Sequence, residues 1–172
     1  PHVIRNSDNP EKRFGIPFDT PLFHWYTEKD CMDQLSRYMK DTYGIKISET
    51  RAAIRAADAA MREFKAELKA AGKKVMEEAK ANGSFAVVLA SRPYQNDSLV
   101  NHDLPEMFTS LGIPVLTADS IPGSEEVDLS RSTVEIVNNF HARMLSTAIM
   151  AAERPELEYV QIVSFGCGHD AY

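Results

Sequence analysis

Cysteine is scarce in this sequence, where Cys31 and Cys167 are the two thiols among 172 residues. Two thiols do not make the disulfide framework of a small secreted domain. Long apolar runs are also missing, since the longest, Phe85–Ala90, is far shorter than the roughly 20 residues that span a bilayer. These two features favour a reducing, cytoplasmic setting and predict that the chain has no membrane partner.

A basic excess and the common nucleotide-binding motifs are absent as well. The net charge is −6, whereas binding to nucleic acid requires a basic face. The sequence contains no G-x-G-x-x-G fingerprint, no Walker loop and no G-x-S-x-G elbow. We therefore expect no nucleic acid as the main partner, no dinucleotide site, and no ATP hydrolysis by this segment.

The first part of the chain is rich in proline, at positions 1, 10, 17 and 21. Proline interrupts helices, so a long helix is excluded here. We predict an extended arm over residues 1–27, in which Phe14, Ile16 and Phe18 anchor the arm to a surface or form a short strand.

A helical segment is predicted over residues 28–83. Thr27 is suited to cap a helix near 28–42, and Ser48 is suited to cap a much longer one that ends at Asn82-Gly83. Apolar residues recur along the long helix at the spacing of a heptad seam; they are Ile54, Ala57, Met61, Phe64 and Leu68. The seam predicts a core helix or an antiparallel helical pair, or else a dimer or interdomain contact.

The composition changes at Ser84, after which short apolar runs alternate with helical patterns. The predicted strands are 85–90, 113–118 and 159–165, and the predicted helices are 104–111 and 132–153, the second opened by a capping box of Ser132 and Glu135. Strands that alternate with helices pair in parallel. We predict an α/β fold over residues 84–172, a Rossmann-like half with a parallel sheet of three or more strands flanked by helices and preceded by the long helical segment.

Polar residues follow each predicted strand. The carboxyl ends of parallel strands meet at one edge of a sheet, and ligands of open α/β folds bind there. We therefore expect one edge to carry Ser91, Arg92, Tyr94, Asn96, Asp97, Asn101, His102, Asp119, Ser120, Cys167, His169 and Asp170.

The candidate substrate-binding residues within this set are Arg92, Tyr94, Asn101, His102 and Asp119. Arg92 can hold a carboxylate or phosphate through two hydrogen bonds, or it can form a salt bridge with Asp97 or Asp103. His102 can act as an acid or base, or it can bind loop carbonyls. The residues that would carry out catalysis are not defined by the pattern.

Cys167 lies between two glycines near the end of the chain, in SFGCGHDAY. A thiolate there is open to a close ligand and can bind iron or zinc; the alternative is a small buried residue in a tight turn. Iron–sulfur clusters usually take about four thiolates, so this chain has too few cysteines to hold one alone. A site-like motif at the chain end leads us to expect a piece of a longer protein, truncated at its C-terminus.

Two stretches resemble a known family. VVLASRPYQNDSLVNHDLPEMFTSLGIPVLTADSI and YVQIVSFGCGHDA are similar to segments of acyl-CoA dehydratase activase-related proteins, which are themselves similar to the activator and components of (R)-2-hydroxyglutaryl-CoA dehydratase. The likeness covers roughly residues 17–172. This chain has Ser91 where the family segment has glycine, and Gln95 where it has histidine.

The resemblance implies an internal fragment of a larger protein that joins ATP-binding activase modules to a dehydratase-like part. That part has Rossmann-like subdomains and iron–sulfur clusters, and ATP hydrolysis drives the injection of a low-potential electron. The resemblance therefore implies that Cys167 is one cluster ligand in the full-length protein and that ATP binds only in other domains. Those domains or a dehydratase are the expected partners, with a CoA thioester as a further candidate.

Three functions stay open from the sequence. The chain can contribute to an iron–sulfur redox module that supports ATP-driven electron transfer. It can instead be a non-catalytic scaffold, or a small-molecule domain that uses Arg92 for an acyl-CoA phosphate or carboxylate. In each case we expect the fragment not to be catalytic alone, and the long helix adds a homodimer as a candidate assembly.

Overall fold

Helices and parallel strands make up the computed structural model, which describes residues 2–130, 132, 136 and 138–163. The helices are α1 (His2–Ser7), α2 (Pro10–Phe14), α3 (Glu28–Tyr43), α4 (Ile47–Ala81), α5 (Ser98–Asn101), α6 (Leu104–Ser110) and α7 (Asn139–Ala152), and the strands are β1 (Ala86–Ala90), β2 (Val115–Thr117) and β3 (Leu157–Gln161). Short 3-10 helices occupy Pro93–Asn96, Ala118–Ser120 and Ser124–Glu126. The chain divides into two units, Pro1–Ala60 and Met61–Tyr172.

The first unit begins with two short helices, so the expectation of an extended arm over residues 1–27 needs correction. The side chain of Asn9 caps α2, and Gly15 ends that helix with φ 68°. Pro10 occupies the first turn of α2, where its missing N–H costs nothing. Proline spacing therefore excludes a long helix but permits short ones, and the irregular part of the arm starts only at Gly15.

The starts of α3 and α4 differ in how well their caps were predicted. Thr27 caps α3 as expected. Its hydroxyl accepts from the backbone N–H of Asp30 at 3.1 Å, and the Asp30 carboxylate accepts from the backbone N–H of Thr27 at 3.0 Å. Ser48 is not the cap of α4, which already begins at Ile47. The backbone N–H of Lys46 donates instead to the Glu49 carboxylate at 3.3 Å.

The second unit is built on a three-stranded parallel sheet of order β2-β1-β3. Val88, at the centre of β1, lies opposite Leu116 of β2 and Tyr159 of β3. The predicted α/β class and the parallel pairing of all three apolar runs are confirmed. β3 starts at Leu157 rather than at 159, since Leu157 pairs with Ala86 and is buried in the core.

The two halves of α4 have different surroundings. In the second unit, Met76 and Ala79 are buried, and Met76 belongs to the core that also holds Val88. Met61 and Phe64, which the heptad pattern predicted to be buried, are 54% and 58% exposed. The prediction that this part of the seam is buried within the chain is therefore wrong.

The start of α7 also differs from expectation, because the helix begins at Asn139 and not at 132. The Asn138 side chain accepts from the backbone N–H groups of Phe140 and His141, each at 3.0 Å, and thereby fixes the first turn. The predicted capping box involved Glu135, which lies outside the described residues, while Ser132 is described and is not helical. Among the described residues, no helix combines the length and the apolar character needed to cross a membrane.

Candidate functional site

A cleft of about 970 Å³ opens in the second unit, beside the carboxyl ends of β1 and β2. The loop after β1 contributes Pro93 and Asn96, and the end of β2 contributes Thr117 and Asp119. α4 and α7 supply the facing walls, with Met61, Phe64, Lys65, Leu68 and Lys69 from the former and Phe140, Ala142, Arg143 and Ser146 from the latter. Its size falls within the roughly 300–1,000 Å³ of small-molecule sites, so the cleft can enclose a ligand.

Arg143 joins three elements at the inner wall of this cleft. Its Nη1 donates to both carboxylate oxygens of Asp119, at 2.7 and 3.0 Å, and its Nη2 donates to the carbonyl oxygen of Ser91 at 2.8 Å. Ser91 directly follows β1, and Asp119 follows β2 by two residues. The guanidinium therefore fixes both strand ends against α7, and its charge is balanced by Asp119.

Arg143 was not among the predicted site residues, because only loops that follow strands were expected to reach this edge of the sheet. A signal was present, since Arg143 is the only lysine or arginine of α7 and lies near the helix N-terminus. The helix dipole disfavours a cation at that end. A cation near a helix N-terminus indicates that a nearby carboxylate offsets this unfavourable interaction, and here the carboxylate is Asp119.

Charged side chains of α4 and of the loop around 124–126 form the rim of the cleft. Lys69 donates to the Glu125 carboxylate in an ion pair. That hydrogen bond, with the positive charges of Lys69 and Lys65, lowers the pKa of Glu125 below its usual range. Lys65 also lines the cleft, and within the described part of the chain it forms no ion pair of its own. The rim thus holds two ammonium groups and one carboxylate.

The predicted substrate-binding residues occupy different positions relative to this cleft. Asp119 is one of its lining residues. Arg92 and Tyr94 lie in the loop after β1, where the backbone N–H of Arg92 donates to the side chain of Gln95 at 2.8 Å and Tyr94 is exposed. Neither of them is among the described residues that line the cleft. Roles for both in binding stay predictions.

The segment from Asn101, the last residue of α5, to Asp103 is unusual in its backbone and its burial. Asn101 is 7% exposed, and within the described residues neither polar atom of its side chain has a hydrogen-bond partner. His102 and Asp103 follow with φ values of 55° and 57°, in the left-handed region that costs most residues about 1–2 kcal/mol. Asn101 and His102 are likewise not among the described cleft residues, so their proposed binding roles are also untested predictions.

Cys167, His169 and Asp170 lie outside the described residues. Cys31 is a free, half-buried thiol on α3 of the first unit. Across residues 2–130, 132, 136 and 138–163, no group of three or more His, Cys, Asp or Glu side chains is arranged to hold a metal ion. The predicted role of Cys167 as a metal ligand therefore stays a prediction.

The fold and the cleft define an α/β domain whose candidate ligand site lies at the carboxyl edge of a parallel sheet. Residues 1–121 match the family described as the CoA enzyme activase uncharacterised domain (DUF2229), and the chain belongs to this family. No curated protein and no solved structure matches the chain. Membership confirms the resemblance to activase-related proteins and assigns the chain an activase-type role in general terms.

Proposed function

We propose that this chain is a domain of an acyl-CoA dehydratase activase-type protein and that it binds a CoA thioester in the cleft of the second unit. The observation that carries the proposal is the cleft itself, at the edge where ligands of open α/β sheets bind. Lys65, Lys69 and Arg143 give it three cations in a chain whose net charge is −6. Family membership supports a ligand from CoA chemistry.

The side chains of the cleft divide into groups that position the site and groups that are open to a ligand. Arg143 uses both terminal nitrogens on Asp119 and Ser91, so it is a positioning residue that sets the distance between the two strand ends. Met61 and Phe64 are largely exposed and line the opposite wall. Covering such apolar surface with a ligand is favourable by about 25 cal/mol per Å².

The test is titration calorimetry of the chain with acetyl-CoA, using a variant that fills the cleft. Ala142 lines the cleft on α7, so Ala142→Trp should reduce affinity at least about tenfold, because the indole occupies ligand space. Ala66→Trp, at an exposed α4 position outside the lining, is the matched control and should bind as the wild type does. Absence of saturable binding to the wild-type chain would overturn the proposal, and circular dichroism would show that Ala142→Trp is folded.

A second proposal concerns Cys167, which we propose is one ligand of an iron–sulfur cluster in the full-length protein. It is supported by the likeness of the segment around Cys167 to activase-related proteins and by the direction of β3, which runs parallel to β1. The N–H of Ile162 donates to the carbonyl of Ala90 at 2.9 Å, so the chain is still at the carboxyl edge there. Cys167 follows Val163 by four residues, which an extended chain spans in at most about 14 Å.

With two cysteines in the sequence, the other ligands must come from outside this chain. The cluster would support ATP-driven electron transfer, while ATP binds in other domains; those domains or a dehydratase are the proposed partners. We expect Cys167→Ser to lower iron content in the full-length protein and Cys31→Ser to leave it unchanged. The isolated chain should bind no iron. Equal iron in both variants and the wild type would favour the non-catalytic scaffold.

A further inference from the structure

The α4 wall of the cleft presents two chemically different stripes side by side. Phe64 and Leu68 are one helical turn apart and form an apolar stripe. Lys65 and Lys69, also one turn apart and each next in sequence to an apolar residue, form a cationic stripe. A ligand lying along α4 therefore meets apolar surface and positive charge within the same cleft.

One lysine of the cationic stripe has no carboxylate partner among the described residues. Arg143 is balanced by Asp119, and Lys69 is balanced by Glu125. Lys65 is close enough to Glu125 to lower the pKa of that carboxyl, yet within the described part of the chain it forms no ion pair. One unbalanced positive charge therefore faces the cleft at Lys65, beside the apolar stripe.

We infer that the cleft selects an amphipathic anion, whose negative group lies at Lys65 and Lys69 and whose apolar part lies against Phe64, Leu68 and Phe140. This inference rests on the proposed function and specifies it. For a CoA thioester, the phosphates of the nucleotide end bind at the α4 rim, and the pantetheine and acyl parts cover the apolar stripe. An ammonium group binds a phosphate as a compact charge with several donors.

Glu125 has a defined place in this arrangement, because it competes with the ligand for Lys69. The carboxylate holds the ammonium in an ion pair that an incoming anion must share or replace. Glu125→Gln removes the competing charge and should strengthen the binding of a charged ligand. A ligand without phosphate should not respond to this change, since it makes no use of the lysines.

The experiment compares acetyl-CoA with S-acetylpantetheine, which lacks the nucleotide phosphates, and with 3′,5′-ADP, which lacks the apolar part. We expect Lys65→Gln to lower the affinity for acetyl-CoA and for 3′,5′-ADP about tenfold, which is the effect of losing one charge-assisted hydrogen bond. The affinity for S-acetylpantetheine should not change. Lys73→Gln is the matched control, because Lys73 lies on α4, pairs with Glu77 and does not line the cleft. Glu125→Gln should strengthen the binding of acetyl-CoA and leave the binding of S-acetylpantetheine unchanged.

The outcomes separate this inference from the function on which it rests. Suppose the Ala142→Trp variant no longer binds acetyl-CoA but the Lys65→Gln variant binds it with wild-type affinity. The cleft is then the binding site, and the assignment of the anionic group to Lys65 is wrong. If the wild-type chain binds none of the three compounds, the proposed function fails and the inference fails with it. Equal weakening of acetyl-CoA and S-acetylpantetheine by Lys65→Gln would also overturn the inference, because the lysine would then act on the uncharged part.

Discussion

Gly72 lies where α4 passes closest to the backbone at Ser120. A Cβ added at Gly72 would clash with the backbone carbonyl oxygen of Ser120. Helix propensity alone predicts that Gly72→Ala stabilises the protein by about 1 kcal/mol. We expect the opposite, a loss of about 1–3 kcal/mol in the free energy of unfolding, because the helix must move away. Urea denaturation gives the sign, and a gain in stability would show that α4 and Ser120 are not in close contact.

The sequence could not reveal this role. In the heptad pattern Gly72 only interrupts an apolar stripe. The residue that requires a glycine there is Ser120, which is distant in sequence and lies in the 3-10 helix after β2. Periodicity reports which face of a helix is apolar but not how closely another backbone approaches it. The close approach depends on tertiary structure, so it becomes visible only when α4 and the loop after β2 are placed together.

Asp103 adopts a left-handed backbone conformation directly after His102, which does the same. The Asp103 side chain makes no capping hydrogen bond to α6, so replacing it loses no such bond. Asp103→Gly should therefore stabilise the protein by up to about 1 kcal/mol, because glycine adopts positive φ without steric cost. Glu106→Gly, inside α6 at negative φ, is the control and should destabilise by about 1 kcal/mol in the same urea titration. A loss of stability in Asp103→Gly would show that the left-handed conformation of Asp103 is not strained.

Tyr159 lies on β3 and is partly buried against the core. Burial raises the pKa of its hydroxyl to about 12. Between the unfolded pKa near 10 and this value, the folded state keeps a proton that the unfolded state loses, so stability falls as pH rises. We expect the free energy of unfolding to drop more steeply from about pH 9 to about pH 11 in the wild type than in Tyr159→Phe. Parallel curves for the two proteins would contradict this assignment.

At the scale of the element, the start of α7 provides a test of capping. The side chain of Asn138 accepts hydrogen bonds from two backbone N–H groups of the first turn. Asn138→Ala should cost about 1 kcal/mol of stability through loss of this cap. Asn139→Ala, at the first helical position, should be neutral within about 0.5 kcal/mol, since alanine is the better helix former. Thermal unfolding of the two variants decides whether the helix begins here, and equal effects would argue against Asn138 as the cap.

The same helix shows why element boundaries are harder to predict than element types. Both Ser132 and Asn138 precede the apolar pattern, and each is a good cap by residue type. The helix itself was predicted over 132–153, and Met144, Thr147 and Met150 are buried at helical spacing within it. The three strands were predictable for a related reason: parallel strands buried on both faces consist of continuous apolar runs.

At the scale of the whole molecule, topology predicted the edge of the sheet but not the full composition of its site. Ser91, Asn96 and Asp119 could be assigned to one edge because they follow parallel strands. Arg143, Lys65 and Lys69 could not, since they belong to helices whose faces meet the cleft only through tertiary packing. The loops of the site are therefore encoded locally, while its cations depend on how α4 and α7 pack in the second unit.

Met76 and Phe64 are two apolar residues on α4 of the second unit that differ in exposure. Met76 is a core residue at 5% exposure, so Met76→Ala should cost about 2–5 kcal/mol. Phe64 is mostly exposed at the cleft, so Phe64→Ala should cost about 1 kcal/mol or less in the absence of ligand. Urea denaturation measures both, and light scattering measures the molar mass of each variant. If Phe64→Ala costs as much as Met76→Ala and also lowers the molar mass, Phe64 is covered by a second copy of the chain. The homodimer predicted from the heptad seam would then be the correct account of this surface. A small cost with unchanged mass leaves Phe64 open to the ligand.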